Sequence, residues 1–295
     1  MVLSTRFYKR LILVVIALMI VVPTAASISL KVKNAALRRE LAQAAEQAQA
    51  GRPGQALELT GAAIDYQTFH PELYSTAQVP QERRMTPGTV YLTFDCTPGE
   101  NTWQILDTLD EYGVKATFFV TASADDEARS ILKEIANRGH TVGLGSYSDS
   151  YQDIYQSVTD YLDDFQEIYD YVYTATGVEA QMFRFPGGSV NAYNSGIYRE
   201  LIAEMLRRGF VFFDWNVGGE DASVTDPTPR HITQSVLTGM EHKDWAIVSL
   251  KDSFGKESVA KALPDIIEAL QDGGYVLEPL AADVMPGVFS YKNAP

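Results

Sequence analysis

The chain has 295 residues, 46% of them hydrophobic, and its 24 basic and 38 acidic side chains give a net charge of −14. This charge argues against a nucleic-acid partner or an anionic surface, and the length suits one large domain or two small ones. The single cysteine excludes an internal disulfide and any metal site built from several cysteines.

The N-terminal segment has the pattern of a membrane anchor. Arg6, Lys9 and Arg10 precede twelve apolar residues in a row, and residues 11–30 carry no charge. This span has about the length that a helix needs to cross a bilayer, and its basic flank predicts an inside N-terminus. We expect residues 1–30 to form a signal anchor with a single transmembrane helix. The small residues of "PTAAS" leave a cleavable signal peptide open.

The next segment reads as a spacer between this anchor and a folded domain. Apolar residues at 37, 41, 44 and 48 follow a helical spacing, and Gly51 and Pro53 end the pattern. We therefore predict a stalk helix followed by an irregular linker over residues 31–87.

From Thr89 onward, strand-like and helical segments alternate. Helices are predicted over residues 101–113, 125–139, 152–175, 192–208, 229–241 and 258–271, with Asn101 as an N-cap and Gly113 as a stop. The seven strand-like segments are TVYLTF, KATFFVTA, TVGLG, QMFRF, FVFFDW, AIVSL and YVLEPL. Such alternation predicts an α/β domain with a parallel sheet, and the count favours a (β/α) barrel over residues 88–283. Residues 284–295 are left as a C-terminal tail.

The carboxyl ends of these strands indicate where a site would lie, because (β/α) barrels carry their active sites there. The polar residues at or after successive strand ends are Asp95, Cys96, Asp149, Arg184, Asp221 and Lys251. The four histidines fall in the linker, before strands or near a helix start. A histidine-based metal site therefore has no ligands at this rim.

Residues 88–281 resemble the polysaccharide deacetylases of the NodB-homology kind, carbohydrate esterase family 4. The resemblance lies in "YLTFDCTPGENTWQILDTLDEYGVKATFFV", "GHTVGLGSYSD", "FRFPGG", "WNVGGEDA" and "IVSLKDS". It implies a distorted (β/α) barrel of about seven strands. It also implies an activity that removes acetyl groups from peptidoglycan, chitin-like glycans or xylan with one divalent metal, usually zinc.

The resemblance also assigns roles to individual residues. It implies that Asp95 is the general base and that Arg184 and Asp221 orient and tune it. The position of the histidine that acts as general acid holds Lys251. The three metal-ligand positions hold Cys96, Gly145 and Asp149.

These departures weaken the case for the family's chemistry. Glycine offers no ligand side chain, and a thiol with one carboxylate gives two ligands of mismatched softness where zinc usually has three. We therefore expect no bound metal cofactor and impaired catalysis. We further expect the Lys251 ammonium to replace the charge of the metal, within about 4 Å of the Asp95 or Asp149 carboxylate.

The sequence thus predicts a membrane-anchored extracellular protein that binds a cell-wall or surface polysaccharide. Two alternatives stay open: an active deacetylase with a rearranged or metal-independent site, and a structural or regulatory surface domain. Weak candidates for glycan contacts at the rim are Tyr147, Phe185, Pro186, Gly187 and Trp215.

Overall fold

The computed structural model describes residues 65–289 except positions 78, 81, 126, 220–226, 254 and 256. The predicted signal anchor, the stalk helix and Asp221 lie outside the described residues. Within the described part of the chain, no helix is long and apolar enough to cross a membrane.

The described residues form eight strands and seven α-helices after a short 3-10 helix at Asp65–Thr68. The strands are β1 (Thr89–Cys96), β2 (Thr117–Val120), β3 (Thr141–Leu144), β4 (Met182–Phe183), β5 (Val211–Phe212), β6 (Val217–Gly218), β7 (Trp245–Asp252) and β8 (Val276–Leu277). The helices are α1 (Glu100–Glu111), α2 (Ala128–Asn137), α3 (Tyr151–Ile154), α4 (Val158–Thr176), α5 (Tyr198–Arg207), α6 (Pro229–Met240) and α7 (Glu257–Asp272).

All strand pairings within the sheet are parallel, which confirms the predicted α/β class. The order is β5-β4-β3-β2-β1-β7-β6, so the two longest strands, β1 and β7, are neighbours, and β7 lies next to the edge strand β6. β2 pairs with the second half of β1, and β8 pairs with its first two residues. The seven strands of this path form a half-barrel, and their carboxyl ends lie at one edge because every pairing is parallel.

The two faces of β1 contact different parts of the core because side chains alternate along a strand. Val90, Leu92, Phe94 and Cys96 pack with the helices in the larger buried cluster. Tyr91 instead packs on the concave face with a smaller cluster, whose buried members also include Phe119, Val211, Phe213, Ile247, Leu280 and Val284. The alternation places Asp95 on the concave side and Cys96 on the helix side.

The folded unit begins before residue 88, within the segment assigned to the linker from its sequence. The guanidinium of the buried Arg208 donates to the carbonyl oxygens of residues 66, 69, 70 and 73. Glu204 accepts a further bond from Arg208 Nε at 2.6 Å. This buried side chain therefore holds residues 65–77 against α5.

The C-terminal segment also packs further than its sequence indicates. Leu280 N donates to Thr117 Oγ1 at 2.8 Å, and the buried Val284 forms a bridge with the segment that precedes β1. The Asp214 carboxylate accepts from the backbone N–H of Phe289 at 2.9 Å. Residues 284–289, predicted as a tail, are therefore part of the domain.

Two local predictions are corrected, and one strand had no predicted counterpart. The helix predicted over residues 152–175 is divided into α3 and α4, because Ser157 caps α4 by accepting from Asp160 N at 3.1 Å. Asn101 is not the N-cap of α1: Gly99 holds that position, and Asn101 Nδ2 donates to Ser253 O at 3.0 Å. The short β6 was not predicted from the sequence. Gly113 does follow the end of α1 with a positive φ of 65°, as predicted.

Candidate functional site

A cleft of about 500 Å³ opens at the carboxyl ends of the central strands. It brings together residues at or just after the ends of β1, β2, β3, β4 and β7, which are far apart in the sequence. Its polar lining includes Asp95, Thr97, Thr121, Ser146, Asp149, Gln152, Arg184, Lys251 and Ser253. Its less polar lining includes Phe119, Tyr151, Phe185, Pro186 and Tyr193.

Asp95 is the centre of a hydrogen-bonded group on this side of the sheet. Arg184 Nη1 donates to Asp95 Oδ1 at 2.9 Å, and Ser249 Oγ donates to Oδ2 at 3.1 Å. The Asp95 side chain is 35% exposed, whereas the Arg184 side chain is 2% exposed. A buried cation therefore orients a carboxylate that remains open to the cleft. Sequence reasoning missed Ser249, although its place two residues before Lys251 on the same strand puts both on one face.

Arg184 is itself held on three sides. Its guanidinium carbon lies 4.3 Å from the ring centroid of Phe119 and 5.3 Å from that of Trp215. Its Nε donates to Phe213 O at 3.0 Å. Nη2 is buried without a hydrogen-bond partner among the described residues.

Lys251 lies beside Asp95 in the strand register and lines the cleft. Among the ion pairs between described residues, none joins Lys251 to Asp95 or Asp149, so the expected ion pair is not observed. Asp95 forms its ion pair with Arg184. The charge of Asp95 is met instead by a guanidinium that approaches from β4. Asp221, the other residue expected to tune Asp95, lies outside the described residues.

Cys96 does not line the cleft. Its thiol is fully buried on the helix side and donates to Asp252 Oδ2 at 3.1 Å, and Thr102 Oγ1 donates to the same oxygen at 2.7 Å. Burial, and then the neighbouring Asp252 charge, raise the pKa of the thiol well above its usual value. Burial likewise raises the pKa of Asp252 to about 6. The expectation that Cys96 joins the rim beside Asp95 is therefore corrected by strand alternation.

The other two metal-ligand positions also lack a matching ligand set. Asp149 lines the cleft, but a Cβ atom built on Gly145 would lie only 2.8 Å from Val120 O. A side chain at this position requires the backbone to move. In the described part of the chain, no three His, Cys, Asp or Glu side chains form a group that could hold a metal ion. These residues do not fit a zinc site, although the absence of a cofactor stays a prediction.

The candidates for glycan contacts divide into three groups. Phe185, Pro186 and Gly187 line the cleft, as expected for the β4 end. Tyr147 lies outside it and lines a neighbouring cavity. Trp215 is not part of the lining either, since its ring packs behind Arg184 and against Phe289, with ring centroids 4.8 Å apart.

A buried carboxylate supports the loop that carries Asp149. Asp164 of α4 accepts from the backbone N–H groups of Tyr147 at 3.0 Å and Ser148 at 2.7 Å. Burial raises the pKa of Asp164 to about 6, partly opposed by these two bonds. The loop after β3 is therefore fixed from below by a helix side chain.

Known proteins resemble this chain over the same region. A family model described as "Polysaccharide deacetylase" matches residues 82–206. The catalytic domain of a peptidoglycan N-acetylglucosamine deacetylase from Eubacterium rectale is 34% identical with a TM-score of 0.68, over 74% of this chain and 99% of that one. A peptidoglycan-N-acetylglucosamine deacetylase of Bacillus cereus is 29% identical over 192 residues, which are 64% of this chain and 67% of the relative.

A further solved structure is a mutant, with restored enzymatic activity, of a carbohydrate esterase family 4 pseudoenzyme that comes from Bacillus anthracis. It is 25% identical with a TM-score of 0.56, over 69% of this chain and 70% of that one.

Proposed function

Because the chain belongs to the polysaccharide deacetylase family, we propose that its cleft binds N-acetylated cell-surface glycans such as peptidoglycan. We further propose that it does not hydrolyse them by a metal-dependent route. The similar proteins include deacetylases named for peptidoglycan, which supports the proposed ligand, and a mutant of a family pseudoenzyme, which supports the proposed loss of hydrolysis.

One observation carries the loss of hydrolysis: the side chains at the family's metal positions do not converge. Cys96 is on the helix side of the sheet, Gly145 has no side chain, and only Asp149 reaches the cleft. A catalytic zinc ion usually needs three protein ligands before it can lower the pKa of bound water. The buried, protonated Cys96 thiol also offers no substitute nucleophile, since a cysteine reacts as its thiolate.

The retained cleft supports glycan binding. Tyr151 and Tyr193 form an edge-to-face pair with centroids 5.6 Å apart, and Tyr193 is 57% exposed. An exposed aromatic ring of this kind can pack on the apolar face of a sugar. The hydroxyl groups of Thr97 and Thr121 and the Asp95 carboxylate line the same space and offer hydrogen-bonding partners for the polar groups of a sugar.

The binding half of the proposal is tested by calorimetric titration of the detergent-solubilised full chain with an N-acetylglucosamine tetramer. Tyr193→Ala is expected to weaken binding about tenfold, as removal of a stacking ring costs about 1 kcal/mol or more. Tyr173→Ala is the matched control, because Tyr173 is an exposed tyrosine of α4 that does not line the cleft. Absence of binding by the unsubstituted protein would favour a structural or regulatory domain instead.

The hydrolytic half is tested by metal analysis and by acetate release from the same tetramer and from peptidoglycan. No acetate is expected with or without added Zn²⁺ or Co²⁺. Asp95→Asn sets the background, since it removes the candidate base. Release above that background would identify an active deacetylase with a rearranged site.

We also propose that residues 11–30 anchor the protein in the membrane with the domain outside the cell. The support is the uncharged apolar span behind a basic flank. N-terminal sequencing of the native protein distinguishes a retained anchor from a signal peptide cleaved near Ala26.

A further inference from the structure

A second cavity of about 650 Å³ adjoins the cleft at the carboxyl end of β2. The two share Thr97, Thr121 and Asp149 in their walls, so they adjoin, and together they make up a groove. The proposed glycan-binding function uses only the first of them. The second therefore has room for a further sugar of the same chain.

The cation in the lining of this second cavity is Arg129, in the first turn of α2. Its guanidinium carbon lies 5.0 Å from the centroid of the Tyr171 ring, which holds the planar group in place. None of the ion pairs between described residues involves Arg129, although Asp125 and Asp149 line the same cavity. The guanidinium edge is thus positioned while its hydrogen-bond donors remain open to a ligand.

The rest of this lining suits a sugar ring. Tyr147 is exposed and meets Tyr171 edge to face, with centroids 6.4 Å apart, so its own ring is presented to the groove. Ser123 and Ser148 add hydroxyl groups. An aromatic face, hydroxyl groups and a preorganised guanidinium together match a sugar that carries a carboxylate.

We propose that this cavity recognises a carboxylate-bearing sugar next to the sugar held in the cleft, with Arg129 as the residue that reads the carboxylate. The inference rests on the proposed glycan-binding function and specifies its ligand class. Asp149 lies where the two cavities join, so the ligand carboxylate must point away from it and toward α2. Asp125 is engaged locally, since its Oδ1 accepts from the backbone N–H of Glu127 at 2.9 Å.

The test is calorimetric titration of the detergent-solubilised full chain with four tetrasaccharides. One alternates N-acetylglucosamine with N-acetylmuramic acid, and the second is the same compound with its lactyl carboxylates reduced to alcohols. The third alternates N-acetylglucosamine with glucuronic acid, and the fourth is the neutral N-acetylglucosamine tetramer. We expect a carboxylated compound to bind about five- to tenfold more tightly than the reduced one, as one charge-assisted bidentate contact predicts.

Arg129→Gln is expected to abolish this difference, so that the carboxylated and the reduced compound bind this variant with equal affinity. Arg129→Lys, which keeps the charge but loses the planar fork, should retain part of it. Arg199→Gln is the matched control: Arg199 also stacks on a tyrosine, 5.5 Å from the Tyr198 ring centroid, and does not line the groove. Melting curves of all variants verify that they fold.

The outcomes separate this inference from the proposed function. Preference for the lactyl or the glucuronic compound supports the inference and identifies the source of the carboxylate. Equal binding of the carboxylated and reduced compounds overturns the inference and leaves the glycan-binding function standing. If only the carboxylated compounds bind, the inference is supported and the neutral glycan is rejected as a ligand. If no compound binds, both the inference and the proposed glycan-binding function are rejected.

Discussion

The ends of β1 and β7 carry two aspartates that face opposite sides of one sheet. Asp95 faces the cleft, where a buried arginine pairs with it and water still reaches it. Asp252 faces the helices and is 1% exposed. Its Oδ2 accepts from Cys96 and Thr102, while its Oδ1 has no hydrogen-bond partner among the described residues.

The difference shows that neighbouring strand ends can stabilise a charged carboxylate on one face of the sheet and favour a protonated one on the other. No cation among the described ion pairs reaches Asp252, and burial raises its pKa to about 6. Cys96 lies next to it in the register and shares this apolar layer. The ligand position that the resemblance assigns to Cys96 therefore lies in the interior, whereas Asp95, the expected base, faces the cleft.

The largest effect should follow removal of the cation on the cleft face. Arg184→Met removes the cation that pairs with Asp95 and the donor to the Phe213 carbonyl, and we expect a loss of about 3 to 5 kcal/mol in the free energy of unfolding. Urea denaturation measures it, with Arg199→Met as an exposed control. A loss similar to that of the control would mean that Asp95 does not depend on Arg184 for its place in the cleft.

A carboxylate placed on the helix face should be nearly as costly. Cys96→Asp sets a second acidic group against Asp252 in a buried layer, and we expect a loss of about 3 kcal/mol at pH 7. The loss should shrink toward pH 4, where both groups become protonated. Cys96→Ser, which keeps a donor to Asp252, is the control. Equal stability of the two variants at pH 7 would show that residue 96 can turn toward the cleft, and would revive a metal site there.

The fold was largely predictable, because alternating strand-like and helical segments leave few arrangements other than a parallel sheet. The rim positions of Asp95, Arg184 and Lys251 followed from the same pattern. The side on which Cys96 lies did not, because β1 is buried on both faces and its apolar run hides the alternation. Residues 65–77 were also missed, since Arg208 holds them through backbone carbonyl groups that leave no periodic signal.

The charge state of Asp252 should appear in the pH dependence of stability. Its pKa is raised from 3.8 to about 6, so the fold favours the protonated form. This contribution is present below about pH 4 and is lost as the pH rises through about 6. Asp252→Asn removes the titration, and we expect the fall in unfolding free energy between pH 4 and pH 7 to shrink by about 2 kcal/mol.

Part of the fall should remain in that variant, because burial also raises the pKa of Asp164 to about 6. Thermal melts of both proteins across this range provide the measurement. Parallel stability curves for Asp252→Asn and the unsubstituted protein would contradict a buried, titrating Asp252.

The smallest effect is expected when one hydroxyl donor is removed from Asp95. Ser249→Ala deletes the bond to Oδ2, but Arg184 and water remain available to a carboxylate that is a third exposed. We expect a loss of about 0.5 kcal/mol, at the low end for a single hydrogen bond. Thr102→Val is the matched change on the helix face, where the hydroxyl donates to Asp252 and also accepts from Gly99 N. Water cannot replace it there, so this change should cost about 1 to 2 kcal/mol. The decisive result is which of the two variants loses more unfolding free energy in urea denaturation. A larger loss for Ser249→Ala than for Thr102→Val would mean that water does not replace the missing bond to Asp95. The assignment of Asp95 as an open, water-accessible carboxylate would then be wrong.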